Sequence, residues 1–253
     1  MEDLENLDSS ADPLAFLKAF TNARIGIGRS GTSVTTIQSL KFKMAHAHAR
    51  DAVYSSLDIS DLTKNIQQFN LTVLNLQSKA ADRAQYLQRP DLGWQLSTAS
   101  EYELTNELHG FDVVICIADG LSALAIHEYA AALLKLLIPA LLNYGFTIAP
   151  LCLVQQARVA VADDIAVGLK AKLALILIGE RPGLSAADSM GAYLTYAPQR
   201  GLTDDKRNCV SNIRKGGLDL PLAVDKLVYL INEAFNKKMS GVLLKDNQGT
   251  YLK

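Results

Sequence analysis

The sequence predicts an α/β fold, with a parallel sheet covered by helices on both faces and a small helical region before it. Continuous apolar runs at 112–117 and 173–178 are typical of buried parallel strands. Segments with apolar residues at helical spacing alternate with such runs, as in βαβ units. The first 65 residues show helical patterns instead. We therefore expect a helical N-terminal domain at 1–65 and a Rossmann-like domain at 66–253.

The N-terminal region is predicted to contain two helices joined by a glycine-rich turn. Residues 13–20 carry apolar side chains at helical spacing, and Asp12 is a common type of helix cap. Residues 35–55 form the second predicted helix, with Leu40 and Met44 near one face. Both helices precede the first strand-like run.

From about residue 66, strands and helices alternate. The predicted elements are strands at 71–76, 112–117, 146–154, 173–178 and 192–196, and helices ending near 86 and covering 94–108, 123–143, 162–171 and 222–237. Strands are assigned to short apolar runs and helices to longer segments with apolar residues every three or four positions. The stretch from the last strand to Asn212 is predicted to be irregular.

Composition excludes several classes of protein. The 25 basic and 26 acidic side chains give a net charge of −1, so there is no basic excess with which to bind nucleic acid. Cys116, Cys152 and Cys209 lie far apart, which fits neither a disulfide framework nor a zinc site and indicates a reducing compartment. The N-terminus is acidic, and Lys135 and Pro139 interrupt the longest apolar run. We expect a soluble, cytoplasmic protein without a membrane partner.

A dinucleotide-type glycine motif lies at Gly26, Gly28 and Gly31, with Asp51 twenty residues after the last glycine. In a dinucleotide site such a motif follows a buried strand, and the acidic residue ends a second strand. Here the preceding segment is too short for a strand, and Asp51 falls within a predicted helix. The favoured interpretation is a tight connection between helices in which glycine allows positive φ.

No self-contained catalytic or metal site is evident. His46 and His48 are two residues apart and would point in different directions on a helix, which makes a poor chelate. There is no Gly-x-Ser-x-Gly nucleophile motif and no Asp-x-His-x-x-Gly segment of the type that offers a histidine to corrinoid cobalt. The sequence therefore predicts no catalytic residue and no metal ligand on this chain.

Polar clusters follow the predicted strands. They lie at 119–122, 155–159, 179–184 and 207–213. Ligands of open parallel sheets bind in the crevice beyond the carboxyl ends of the strands. Any one cluster alone fits a surface turn, but their convergence on one edge predicts a binding site.

Six segments together carry a resemblance to a known family. They are ARIGIGRSG at 23–31, AHAHARDAV at 45–53, LQRPDLG at 87–93, ADGLS at 118–122, GERPGL at 179–184 and NCVSNI at 208–213. Over about residues 20–246 the chain resembles the small (light) subunit of ethanolamine ammonia-lyase. That family's enzyme depends on adenosylcobalamin and converts ethanolamine to acetaldehyde and ammonia.

The resemblance implies a division of labour between two subunits. A TIM-barrel large subunit carries the catalytic groups, and the two subunits hold the cobalamin between them, with the cofactor's own dimethylbenzimidazole on cobalt. It implies a dodecamer of three α2β2 units. On this chain it places cobalamin contacts at Arg158, Val159, Glu180 and Cys209.

Two residues depart from the family pattern. Trp94 stands where many relatives have a basic residue, and Ala157 precedes Arg158 where glycine is usual. The N-terminal extension is short, which leaves open whether the protein lies in the cytoplasm or in the lumen of a bacterial microcompartment. Two alternative functions are a stand-alone NAD(P)-dependent oxidoreductase, which the misplaced glycine motif disfavours, and a non-catalytic assembly protein, which the converging polar loops disfavour.

Overall fold

The computed structural model describes residues 15–21 and 23–247. The strands are β1 (Val73–Gln77), β2 (Val113–Ala118), β3 (Leu151–Gln155), β4 (Leu173–Gly179), β5 (Met190–Tyr196) and β6 (Asn208–Ile213). The α-helices are α1 (Thr36–Tyr54), α2 (Ile59–Ile66), α3 (Arg83–Gln88), α4 (Pro90–Gly93), α5 (Thr98–Thr105), α6 (Ala123–Asn143), α7 (Val161–Gly168) and α8 (Leu220–Lys237). Short 3-10 helices lie at Ala15–Ala19, Gln67–Phe69, Asp204–Lys206 and Gly241–Leu243.

Within the described residues, the strands form one six-stranded sheet in the order β1-β3-β2-β4-β5-β6. The strands β1 to β4 pair in parallel, whereas β5 is antiparallel to both β4 and β6. The predicted α/β class is confirmed. The Rossmann-like description stays a prediction, because the parallel strands run 1-3-2-4 and not in the 3-2-1-4 order of the dinucleotide-binding fold.

Helices cover the sheet on both faces. On one face α2, α6 and α8 pack over the larger core cluster, to which α2 contributes Leu62 and Ile66. On the other face α5 and α7 cover a second cluster that contains Leu104 and Ile165. Strands β2 and β4 are buried along their whole length, which explains their uninterrupted apolar sequences.

Helix α6 follows its sequence prediction residue for residue. Ser122 caps it by accepting a hydrogen bond from the backbone N–H of Ala125. By length and composition alone this helix could cross a membrane, in spite of the interruptions at Lys135 and Pro139. Half of the relevant window is buried inside the protein.

Several boundaries differ from the predictions. Residues 208–213 form β6, although the stretch to Asn212 was expected to be irregular, because an edge strand needs only Val210 and Ile213 as buried side chains. Helix α2 was not predicted, although Asp58 caps it by accepting from the N–H of Asp61. Strand β3, α5 and α7 are shorter than expected, and the four-residue helix α4 lies between the helices predicted to end near 86 and to begin at 94.

The N-terminal region keeps the predicted order. Of the predicted helix at 13–20, residues 13 and 14 lie outside the described residues, and the rest is largely a 3-10 helix. Gly26, Gly28 and Gly31 all have positive φ, which confirms the expected tight connection. In α1 only Ala52 is buried, so the apolar face that contains Leu40 and Met44 is exposed in this chain.

Candidate functional site: a cavity beside helix α7

A cavity of about 810 Å³ lies against the first turn of α7. We name residues 200–204 the wall of this cavity and Arg158 with Val159 its floor; the segment around Trp94 also belongs to the lining. Its full lining consists of Lys79, Trp94, Gln95, Glu101, Arg158, Val159, Ala160, Asp164, Arg200, Gly201, Leu202, Thr203 and Asp204. This volume is within the range of ligand pockets.

Two adjacent aspartates of α7 hold the walls of the cavity. Asp163 accepts a hydrogen bond from Nη2 of Arg207 at 2.5 Å, and each side chain is only 2% exposed. Asp164 accepts from the backbone N–H of Leu96 at 3.1 Å and lies 3.5 Å from Nε of Arg200. Burial raises the pKa of both aspartates, and the nearby arginine opposes the rise in each case.

Arg207 connects this anchor to the wall at 200–204. Its Nη2 donates to the carbonyl of Leu202 at 3.1 Å, and its Nη1 donates to Asp204 at 3.1 Å. Both acceptors belong to residues that line the cavity. The buried Arg207–Asp163 pair therefore ties this wall to α7.

Arg158 stands at the cavity floor in a restrained position. Its guanidinium lies over the ring of Tyr86, 4.3 Å from the centroid, and its backbone N–H donates to the carbonyl of Gly93 at 2.8 Å. A Cβ on Gly93 would come within 2.8 Å of Cγ of Arg158, so the absence of a side chain there allows the close approach. Its buried Nε has no hydrogen-bond partner among the described residues.

The loop that presents Arg158 is shaped by Asp119, which directly follows β2. The buried carboxylate accepts hydrogen bonds from the N–H groups of Gln156 at 2.9 Å and Ala157 at 3.1 Å. Gln156 has a φ of 53°, a left-handed conformation that these bonds help to hold. Burial raises the pKa of Asp119, and the two backbone donors oppose that rise.

Glu180 lies directly beyond β4. Its Oε2 accepts from the hydroxyl of Ser189 at 2.5 Å and from the backbone N–H of Asn212 at 3.2 Å. Oε1 faces Gly191, which has no side chain to block it. The carboxylate is thus held in one orientation with one oxygen left to accept a further hydrogen bond.

Cys209 is an exposed residue of β6 opposite Tyr193 of β5. The Tyr193 hydroxyl and the Cys209 thiol lie within electrostatic range of each other and of Glu180. Partial desolvation raises the pKa of the Cys209 thiol, which keeps it protonated and disfavours a nucleophilic role.

The structure therefore divides the predicted site residues into two groups. Arg158 and Val159 line the cavity, whereas Glu180 and Cys209 lie outside its lining and are joined through Tyr193. Sequence reasoning missed Tyr193 and the wall at 200–204. Tyr193 is unremarkable among strand aromatics, and the wall is joined to α7 only through contacts distant in sequence.

Two histidines, His46 and His127, make contacts that stabilise the fold. Nε2 of His127 on α6 accepts from the backbone N–H of Asp58, which caps α2. His46 stacks on Phe42, with 6.4 Å between the ring centroids. Within residues 15–21 and 23–247, no group of three or more His, Cys, Asp and Glu side chains is arranged to hold a metal ion.

The fold and cavity define an α/β protein with a ligand-sized site beside a helix that follows a parallel strand. Comparison with known proteins gives its family. The family model described as ethanolamine ammonia-lyase light chain matches residues 11–245. The chain belongs to this family.

Relatives named ethanolamine ammonia-lyase small subunit match nearly the whole chain. The one from Xanthomonas campestris pv. campestris is 48% identical over 239 residues, which cover 93% of this chain and 88% of the relative. The one from Pseudomonas aeruginosa is 47% identical over 251 residues, with 97% and 92% covered. The Ralstonia nicotianae relative is 47% identical over 239 residues, with 93% and 88% covered.

Proposed function

We propose that this chain is the small subunit of an ethanolamine ammonia-lyase and that it holds adenosylcobalamin against a catalytic large subunit. The reaction converts ethanolamine to acetaldehyde and ammonia. Family membership supports the reaction, and the cavity beside α7 is the observation that supports cofactor binding. In this proposal residues 66–253 act as a Rossmann-like, cobalamin-contacting domain and residues 1–65 as an N-terminal helical domain.

The predicted cofactor-binding residues, two in the cavity lining and two outside it, fit the chemistry of a corrinoid. Cobalamin combines apolar ring surface with amide groups and a phosphodiester. Val159 offers apolar contact, and the buried Nε of Arg158 is a donor that lacks a partner among the described residues. Glu180 presents a fixed acceptor for an amide or hydroxyl group. These three residues, with Cys209 as a packing contact, are the proposed cofactor-binding set.

The size of the cavity supports sharing of the cofactor between subunits. A volume of about 810 Å³ suits a drug-sized ligand, whereas adenosylcobalamin is larger than this cavity. The cavity can take one part of it, and the remaining surface needs a second protein. When bound, adenosylcobalamin supplies the radical chemistry. This chain's residues bind one side, fix its orientation and exclude water there.

Exposed apolar residues support a protein partner. Near the N-terminus they include Phe16, Phe20, Val34, Leu40, Phe42, Met44 and Tyr54. So many exposed large apolar side chains within one stretch of the chain favour an interaction surface there. We propose that the partner is a TIM-barrel large subunit, in a dodecamer of three α2β2 units, located in the cytoplasm or a microcompartment lumen.

Reconstitution tests this function. The purified chain is titrated with adenosylcobalamin, with and without the large subunit, and ethanolamine deamination is assayed. Activity only in the mixture is expected. Full activity of the chain alone would overturn the two-subunit proposal. Full cofactor retention by the large subunit alone would show that this chain does not hold the cofactor and acts only in assembly.

Glu180→Ala tests the cofactor contact. Loss of a fixed charged acceptor is expected to weaken cobalamin retention by the complex by about tenfold or more. Glu103→Ala, at an exposed position on α5 outside the cavity lining, is the matched control. Equal retention by both variants would remove Glu180 from the site.

A further inference from the structure

Trp94 is the only tryptophan in the sequence, and its side chain is placed to receive a ligand. It lines the cavity and is 51% exposed, which is high for so large an apolar group. It follows the short helix α4, and its backbone N–H bonds to the carbonyl of Asp91. An indole face open to a cavity offers a stacking surface for a planar ring.

The charges around the cavity are unevenly matched. Arg200 is neutralised by Glu101, with Nη2 and Oε1 2.6 Å apart, and lies near Asp164. Asp204 pairs with Arg207 at 3.1 Å. The acidic residues of the lining are thus all engaged by these two arginines.

Two other cations of the lining, Lys79 and Arg158, form no salt bridge within the described residues, and Lys79 lies within electrostatic range of Asp164. Nζ of Lys79 donates to the neutral amide of Gln95 at 2.6 Å. The guanidinium of Arg158 lies over the Tyr86 ring, and its Nε is buried without a hydrogen-bond partner. Within residues 15–21 and 23–247, neither cation forms an ion pair with an acidic side chain. The lining therefore combines a half-exposed indole with two cations that form no salt bridge within the described residues.

We propose that Trp94, Lys79 and Arg158 form a subsite for an aromatic group that carries a phosphodiester, with Trp94 as the residue that selects the ring. This inference rests on the proposed function. Adenosylcobalamin carries such a group in its lower tail, which joins a benzimidazole, a ribose and a phosphodiester. The upper adenosyl group has no phosphate, so only the tail matches both the aromatic and the cationic parts of the subsite. Trp94 would then discriminate among corrinoids by their lower base.

The test compares two corrinoids that differ in the tail. The complex with the large subunit is titrated calorimetrically with cyanocobalamin and with dicyanocobinamide, which lacks the nucleotide tail. The wild type should bind cyanocobalamin more tightly. Trp94→Leu should weaken cyanocobalamin binding by about 5- to 150-fold, the range for loss of one stacked ring, and leave dicyanocobinamide binding unchanged. Trp94→Phe, which keeps an aromatic face, should restore most of the preference.

The cationic part has its own variant. Lys79→Gln should weaken cyanocobalamin binding and reduce its dependence on salt, because one charge contact with the phosphodiester is lost. Lys64→Gln, at an exposed position on α2, is the control and should change neither.

The outcomes separate this inference from the function on which it rests. If the wild-type complex binds neither corrinoid, the proposed function fails and the subsite with it. If the wild type binds cyanocobalamin, but Trp94→Leu weakens the binding of both corrinoids equally or of neither, the proposed function stands and the Trp94 subsite is wrong.

Discussion

The buried pair of Arg207 and Asp163 allows a test that separates stability from the shape of the cavity. Both side chains are 2% exposed, so removing one partner leaves the other charge buried. Arg207→Met should therefore reduce the free energy of unfolding by about 3–5 kcal/mol. In the double variant Arg207→Met/Asp163→Leu both desolvation penalties disappear, and most of that loss should be recovered.

The cavity should respond differently. In the double variant the wall still lacks the bonds from Arg207 to the Leu202 carbonyl and to Asp204, at 3.1 Å each. We expect near-normal stability together with reduced cobalamin retention by the complex. Restored retention as well as restored stability would show that the pair does not position this wall.

Urea unfolding of the purified chain, followed by circular dichroism, measures the stability changes. The control is Lys237→Ala, which breaks the surface pair with Glu233 at 2.6 Å. An exposed pair four residues apart on a helix contributes only about 0.3–0.5 kcal/mol. The reasoning is refuted if Arg207→Met costs no more than this control, or if the double variant is no more stable than Arg207→Met.

Two further predictions concern the loop after β2. Gly120 has a φ of 53°, and a Cβ there would lie 2.2 Å from the Gly179 carbonyl oxygen. In urea unfolding, Gly120→Ala should lower the free energy of unfolding by about 2 kcal/mol more than Gly31→Ala. Gly31 has a φ of 62° and a Cβ there would meet no atom within 4 Å. Both substitutions add backbone strain of about 1–2 kcal/mol, but only Gly120→Ala adds a steric clash. Equal losses would contradict this packing. Burial raises the pKa of Asp119 above 3.8, so the folded state binds its proton more tightly than the unfolded state. The stability of the wild type relative to Asp119→Asn should therefore fall as pH rises from about 4 through the folded-state pKa, and then level off. Urea unfolding across this pH range measures the difference. An increase of this difference with pH would show that the pKa of Asp119 is not raised in the folded state.

Elements with a strong local pattern were predictable from sequence. Helix α6 and β4 have long apolar runs, and their limits agree with the predictions to within a residue. Strand β6 was missed because an edge strand tolerates polar residues such as Asn208 and Ser211, which removes the apolar run. Helix α2 was missed because it has only eight residues, although its apolar side chains, including Leu62 and Ile66, already share one face in the sequence.

Sequence alone determined the α/β class, the family resemblance, and the importance of the polar loops that follow the strands, because these depend on local patterns and motifs. Tertiary structure decided which of those loops meet. It brought Trp94 and Lys79 to the same cavity as Arg158, and it placed the wall at 200–204 against α7. That wall depends on the Arg207–Asp163 pair, whose partners are 44 residues apart. Such a contact joins segments that are far apart in the chain, so no local sequence pattern predicts it.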